Sequence, residues 1–372
     1  MKPLRILHVG SVVLGTPYLG LPPEKCLELY RRFPEVFDGL FDYIKRERID
    51  LVLFSGNLCS RYLTSEDARH LIELLLACQD TTFVVSPGDL DPYDPDSLYI
   101  SGRLPKNVKI FENETLDHFD LPELGVRVYG WAIHGQRSSF DPLVGAAPEE
   151  GDRLNLLSGC CAITSRPISA HISPEEIAAF GADYAAFSHG PATPVRRAGK
   201  TLYCHAGFLE GHGFDEAGEG GVVRIDVRED GTLETRFVPL YRHRYETVTL
   251  DVTGAADMSE VLSILRPVVE ERGFGEETSL RVILEGRLEP TVMLSPSPEE
   301  ALSFSLYSLD FIDRTRPTLN AEYLERDMTV RGELYRTLLP RINSQNLEES
   351  VAVSQAFRAG LAALESRDIT GI

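Results

Sequence analysis

The sequence predicts an α/β fold followed by a smaller α+β unit, and three observations carry that prediction. Short apolar runs at Arg5 to Gly15, Asp50 to Arg61 and Phe83 to Tyr93 each end in glycine and small polar residues. Buried parallel strands have this form where they deliver their carboxyl ends to a site. Between these runs lie segments of helical periodicity, so strand and helix alternate as in a sheet covered by helices. From about Tyr245 the pattern changes to alternating strands around one helix.

The chain has 372 residues, of which 43% are apolar and 25% charged, the composition of a globular protein with a sizeable core and about two domains. It contains no apolar run long enough to cross a bilayer, and its first residues pass straight into a strand, so a cytoplasmic protein without a membrane segment is expected. Six cysteines without a CxxC spacing predict buried, reduced thiols rather than a zinc or disulfide framework. The formal charge is −20, and acidic residues outnumber basic ones on both sides of residue 240. Such a chain repels a polyanion, which weighs against nucleic-acid binding on its own.

Taken in order, the first strand precedes a helical segment from Pro23 to Arg48. Leu27, Tyr30, Phe37, Leu40, Phe41 and Ile44 recur there near helical spacing, and Pro34 marks an expected break or kink. After the second strand, Thr64 or Ser65 is placed to cap a helix with Leu71, Leu74 and Leu75 on one face. The third strand ends at Pro87-Gly88 and delivers Asp89, Leu90 and Asp91. For those two carboxylates the simplest role is to cap the turn or helix that follows. A polar, turn-rich stretch leads to a short strand, and another strand holds Trp131 and ends near His134, a residue read as hydrogen-bonded rather than ligating.

Next come the apolar run RLNLLSGCCAI, a helix with Ser173 and Glu176 as a capping box, and a strand at Ala185 to Phe187 that ends in Ser188-His189-Gly190-Pro191. A glycine-rich stretch with His205 and His212 follows, to be weighed as a metal pair or as a plain surface loop. Beyond Tyr245, a strand, a helix interrupted near Pro267 and a second strand form a β-α-β unit. A capped, partly helical stretch then carries Phe304, Leu306, Leu309, Phe311 and Ile312, which read as core. Two helical stretches end the chain, with Leu334, Leu338 and Leu339 and then Val351, Val353, Phe357, Leu361 and Leu364 on apolar faces.

The three strand ends resemble those of the calcineurin-like metallophosphoesterases, and more narrowly the nuclease subunit of the bacterial SbcCD complex. That resemblance implies a four-layer sandwich, two mixed β-sheets flanked by helices, with a small α+β capping domain. The boundaries it implies are 1–240 for the phosphoesterase-like domain, 241–325 for the capping domain and 326–372 for a helical tail. In that family the first strand ends Asp-x-His, and Ser11 and Val13 stand at those positions here. The second motif is Gly-Asp with a later His, and Asn57 and Ser60 occupy those positions. In the third motif, Gly-Asn-His-Asp, Asp89 replaces Asn and Leu90 replaces the catalytic His, while Asp91 matches. Ser158 stands at a lone His-Gly, and the family's Gly-His-x-His retains His189 but has Pro191 at its second His.

Two-metal hydrolysis needs carboxylates and imidazoles around both ions. By resemblance, Asp89 and His189 alone remain as candidate metal ligands, and no catalytic residue is left. The resemblance therefore implies a degenerate, non-catalytic member of the DNA-repair exonuclease type, with no cofactor, acting as scaffold or partner subunit. The implied partner is an SbcC-like ATPase, which the C-terminal helices would grip unless they fold onto their own domain, and a homodimer is a further expectation. The alternative is an active phosphoesterase or nuclease with a rebuilt manganese or zinc site that uses Asp89, Asp91, His189 and either His205 or His212.

Overall fold

The structure, a computed structural model, describes residues 2–135, 142–143, 145–149, 151–164, 171–289, 292, 294, 303–318 and 321–364. Two compact units divide the chain, Met1–Arg244 and Tyr245–Ile372.

In the first unit, β1 (Leu4–Val9), β2 (Leu51–Phe54), β3 (Thr82–Val85) and β4 (Val108–Ile110) run parallel, each beside the next. A second sheet begins with β5 (Asp117–Leu121), β6 (Val126–Gly130) and β7 (Leu154–Cys160). After a small pair, β8 (Ala162–Ile163) and β9 (His171–Ile172), it continues with β10 (Tyr184–Ser188), β11 (Arg196–Ala198) and β12 (Thr201–His205). The antiparallel strands β13 (Gly221–Val227) and β14 (Leu233–Pro239) return to the first sheet. The resulting sheet orders are β14-β13-β1-β2-β3-β4 and β11-β12-β10-β7-β6-β5, six strands each.

The core lies between these sheets. Ile6, Leu53, Val84 and Ile225 of one meet Val128, Leu156, Ala186 and Cys204 of the other, all essentially inaccessible to water. Each large aliphatic side chain so buried contributes about 1.5–3 kcal/mol. Against the outer face of the second sheet, α4 (Pro174–Phe180) packs Ile177 and Phe180 among Trp131, Leu157 and Phe187. Helices α1 (Pro23–Glu47) and α2 (Ser65–Leu76) accompany the first sheet, where Phe41 of α1 meets Phe83 of β3. The expected two-sheet, helix-flanked α/β sandwich is the fold observed.

Three local expectations need correction. Helix α1 runs through Pro34 without a break, and its buried stripe is Leu29, Phe33, Phe37, Leu40, Phe41 and Ile44. Leu27 is exposed, because two residues of offset place it roughly 200° around the helix from Leu29. Thr64, not Ser65, is the cap of α2, in a reciprocal capping box with Asp67. The four-residue helix α3 (Leu98–Ser101) begins after Ser97 and receives no cap from Asp89 or Asp91.

In the second unit, α5 (Met258–Glu271) continues through Pro267. Strands β15 (Arg244–Asp251), β16 (Thr278–Glu285) and β18 (Ser308–Asp313) form one sheet, with a two-residue pair, β17 (Arg287–Leu288) and β19 (Arg316–Pro317), beside them in sequence. Leu309, Phe311 and Ile312 lie in β18, and Phe304 is buried with Val282 and Leu265. The capped, partly helical opening expected at 295–302 lies outside the described residues. Helix α6 (Ala321–Arg326) leads to α7 (Val330–Ile342) and α8 (Leu347–Leu364). Tyr335, Ile342, Val353, Phe357 and Leu361 bury one another, and the Arg358 guanidinium donates to Asp313 and Thr315 beside β18. The tail helices thus fold onto their own unit.

Candidate functional site

Parallel strands point their carboxyl ends the same way, and the loops after β1, β2, β3, β7 and β10 converge at that end of the sandwich. Close approach there depends on absent side chains. A Cβ on Gly10 would lie 2.1 Å from the Gly207 carbonyl oxygen, and one on Gly88 2.1 Å from Asn57 Oδ1. A Cβ on Gly56 would meet Cys160 Cβ at 2.6 Å. Four non-glycine residues have positive φ among those described, and three of them are here: Val13 at 55°, Asn57 at 55° and His189 at 87°. A β-branched residue in this region is costly, and such strain persists only where its surroundings impose it. For Val13 the constraint is visible: the N–H groups of Val12 and Val13 both donate to the Asn57 carbonyl, at 2.9 and 2.8 Å.

Asp89 and His189, 100 residues apart in sequence, meet with Nδ1 3.2 Å from Oδ1. The same carboxylate oxygen accepts from Asn57 Nδ2 at 3.1 Å and from Cys160 Sγ at 3.5 Å. Burial opposes ionisation of Asp89, but the hydrogen bond and charge of His189 together with the Asn57 amide outweigh it and hold the carboxyl at about 2. The hydrogen bond to Asp89 raises His189 above its ordinary 6.5. Burial, reinforced by the Asp89 charge, pushes the Cys160 thiol well up.

The pair has a definite pH signature. Asp89 contributes stability that is complete above its unfolded value near 3.8 and fades as pH falls toward 2. His189 contributes stability that is complete below 6.5 and fades as pH rises through its raised folded value. The stability lost in Asp89→Asn is therefore expected to be greatest between about pH 4 and 6.5, at roughly 1 kcal/mol after screening of the half-exposed imidazole. Urea unfolding of both proteins from pH 3 to 9 checks this, and a difference that grows steadily above pH 7 would contradict it.

Asp91 plays another part. It is buried and accepts from the N–H groups of Asn57 (3.1 Å), Cys59 (2.9 Å) and Gly88 (2.8 Å) and from the Tyr99 hydroxyl. Burial raises its carboxyl to about 6 against the pull of these donors. It pins the second and third strand-end loops together and has no capacity left for a cation. The role expected of Asp91 and Asp89, capping the helix that follows, is not met.

The other family positions offer little. The Ser11 hydroxyl is buried with no hydrogen-bond partner among the described residues, and Val13 is buried. Asn57 Oδ1 is taken by the Leu90 N–H at 3.0 Å, and the Leu90 side chain is exposed. Ser60 accepts from the N–H of Tyr62, Ser158 Oγ lies 3.0 Å from Ser86 Oγ, and Pro191 lines a cavity of about 570 Å³ with Thr193, Phe208 and Arg236. A dinuclear centre of the kind the fold family uses does not fit these residues.

His205 and His212 are both buried rather than part of a surface loop. His205 ends β12, is buried, and its Nε2 meets the Cys161 carbonyl at 3.0 Å. His212 is buried between the rings of Tyr18 and Phe33, with Nδ1 3.3 Å from Glu216. His134 is exposed and bonds the Glu112 carbonyl at 2.7 Å. Sequence reasoning missed two residues. Cys160 lies two positions beyond Ser158 on β7, hence on the same face of the strand and nearer the site. His8 is fully buried between the sheets, bonded to Tyr184 OH at 2.9 Å and Ser55 Oγ at 3.1 Å, and burial depresses it to about 3. The mark of His8 in the sequence is a lone imidazole inside an apolar strand.

Comparison with protein-family models agrees with this architecture. A family model for the calcineurin-like phosphoesterases matches residues 4–191. The chain is similar to TT1561 of Thermus thermophilus, with 13% identity and a TM-score of 0.39, covering 64% of this chain and 100% of that one. It is also similar to Vacuolar Protein Sorting 29 from Cryptosporidium parvum, with 13% identity and a TM-score of 0.32, covering 63% of this chain and 97% of that one. No curated protein matches.

Proposed function

The chain belongs to the calcineurin-like phosphoesterase family, and we propose that it is a member without two-metal hydrolysis, a non-catalytic scaffold or partner subunit. The observation that carries this reading is the self-neutralisation of the site. Asp89 is paired with His189 and Asn57, and Asp91 is saturated by four donors of its own chain. Unpaired carboxylates facing one another would be costly to bury, so filling the pocket with serine, valine and internal pairs removes the electrostatic need for a pair of cations. The resemblance to the SbcCD nuclease subunit supports a large SbcC-like ATPase as partner, and the acidic balance favours protein over nucleic acid.

The test is turnover of bis-p-nitrophenyl phosphate and of DNA with manganese. The expected rate is the buffer rate, unchanged in Asp89→Ala and His189→Ala. Turnover well above background that both substitutions abolish would overturn the proposal. A second reading, a phosphoesterase or nuclease with a rebuilt single-metal site, is favoured by one observation, the convergence of Asp89, Cys160 and His189. It predicts that same loss.

A further inference from the structure

Among the described residues, one set of three potential ligand side chains converges closely enough to share a cation: Asp89, Cys160 and His189, their donor atoms within 4.8 Å of one another. Two of the three separations match those around one particular ion. Around a tetrahedral zinc, with bonds of about 2.0–2.3 Å, neighbouring oxygen and nitrogen ligands lie about 3.3 Å apart and oxygen and sulfur about 3.6 Å. The corresponding separations are 3.2 Å from Asp89 Oδ1 to His189 Nδ1 and 3.5 Å from Asp89 Oδ1 to Cys160 Sγ.

We propose that Asp89, Cys160 and His189 form a mononuclear site for one zinc ion, with a fourth position open toward solvent. The thiolate distinguishes it from the oxygen- and imidazole-rich pair of ions implied by the family resemblance. Soft sulfur selects zinc over manganese or magnesium. Coordination displaces the thiol proton to water, and one carboxylate plus one thiolate balance the doubly charged ion beside a neutral imidazole. The surroundings are built for this: Gly56 leaves the space that the Cys160 side chain fills, and Asn57 is held with its amide nitrogen, not its oxygen, toward Asp89. His189 is about half exposed, which gives the ion a way in. Asp91, His205 and His212 are not among the donors that converge there.

The test uses the metal-stripped full chain. Calorimetry is expected to find one zinc per chain at micromolar affinity or tighter and much weaker manganese binding. Asp89→Ala, His189→Ala and Cys160→Ser are each expected to weaken zinc by at least about 100-fold. Cobalt(II) in place of zinc is expected to give the near-ultraviolet absorption of a metal thiolate, absent in Cys160→Ser and retained in Cys161→Ser. Unfolding curves of the metal-free variants show that each is folded.

No zinc binding at 100 µM, or a cobalt spectrum unchanged in Cys160→Ser, overturns the zinc site and leaves the non-catalytic reading intact. Zinc binding joined to phosphodiester turnover that Cys160→Ser abolishes supports the site and overturns the non-catalytic reading instead.

Discussion

Asp91→Ala is expected to lower the stability of the phosphoesterase-like unit by roughly 4 kcal/mol, because four donors lose their acceptor at once. An orphaned buried donor costs about 1–3 kcal/mol, and water entering the vacated space offsets part of the sum. Asp91→Asn keeps the shape and one acceptor oxygen but turns an amide donor toward other donors, so about half that loss is expected. Urea unfolding at pH 7 measures both. A loss under 1 kcal/mol in the alanine variant would mean that Asp91 does not hold the two loops together. Asp91 is also the one carboxylate that matches the family's letters at the third strand end, and its hydrogen bonds give it a role that needs no metal.

Gly10→Ala is expected to cost about 3 kcal/mol, the second large effect. The added methyl would stand 2.1 Å from the Gly207 carbonyl oxygen, and both partners are backbone. The chain after β1 and the loop after β12 must then separate, which strains the Ser11 N–H···Gly207 carbonyl bond of 2.9 Å. Gly39→Ala, where a Cβ meets nothing within 4 Å, is the control and is expected to be neutral or slightly stabilising because it lies within a helix. Equal unfolding midpoints for the two variants would contradict this account of the strand ends.

The fold was legible because each of the first three parallel strands runs into a glycine frame visible in the sequence, and because helices α2 and α4 announce themselves with capping boxes. The continuity of α1 was not legible. Proline removes one helical hydrogen bond, and the burial of Phe33, Phe37 and Phe41 around Pro34 outweighs that loss in a way that no local pattern reveals. The pairing of Asp89 with His189 was within reach only through the family frame, since nothing local links residues 100 apart. Cys160 escaped notice because six cysteines without a CxxC spacing read as ordinary buried thiols. Cys160 and Cys161 are both buried, and strand alternation turns Cys160 toward Asp89. His205 and His212 looked like loop residues in a glycine-rich stretch, but His205 ends a buried strand and His212 lies between the rings of Tyr18 and Phe33.

The central claim is that the family's dinuclear centre is absent, and manganese binding tests it most directly. With two equivalents of manganese(II) added per metal-stripped chain, low-temperature electron paramagnetic resonance is expected to show manganese(II) as the six-line spectrum of the free hydrated ion, with no exchange-coupled signal. Two manganese ions per chain with a coupled spectrum would show that the pocket still assembles a metal pair and would contradict the account.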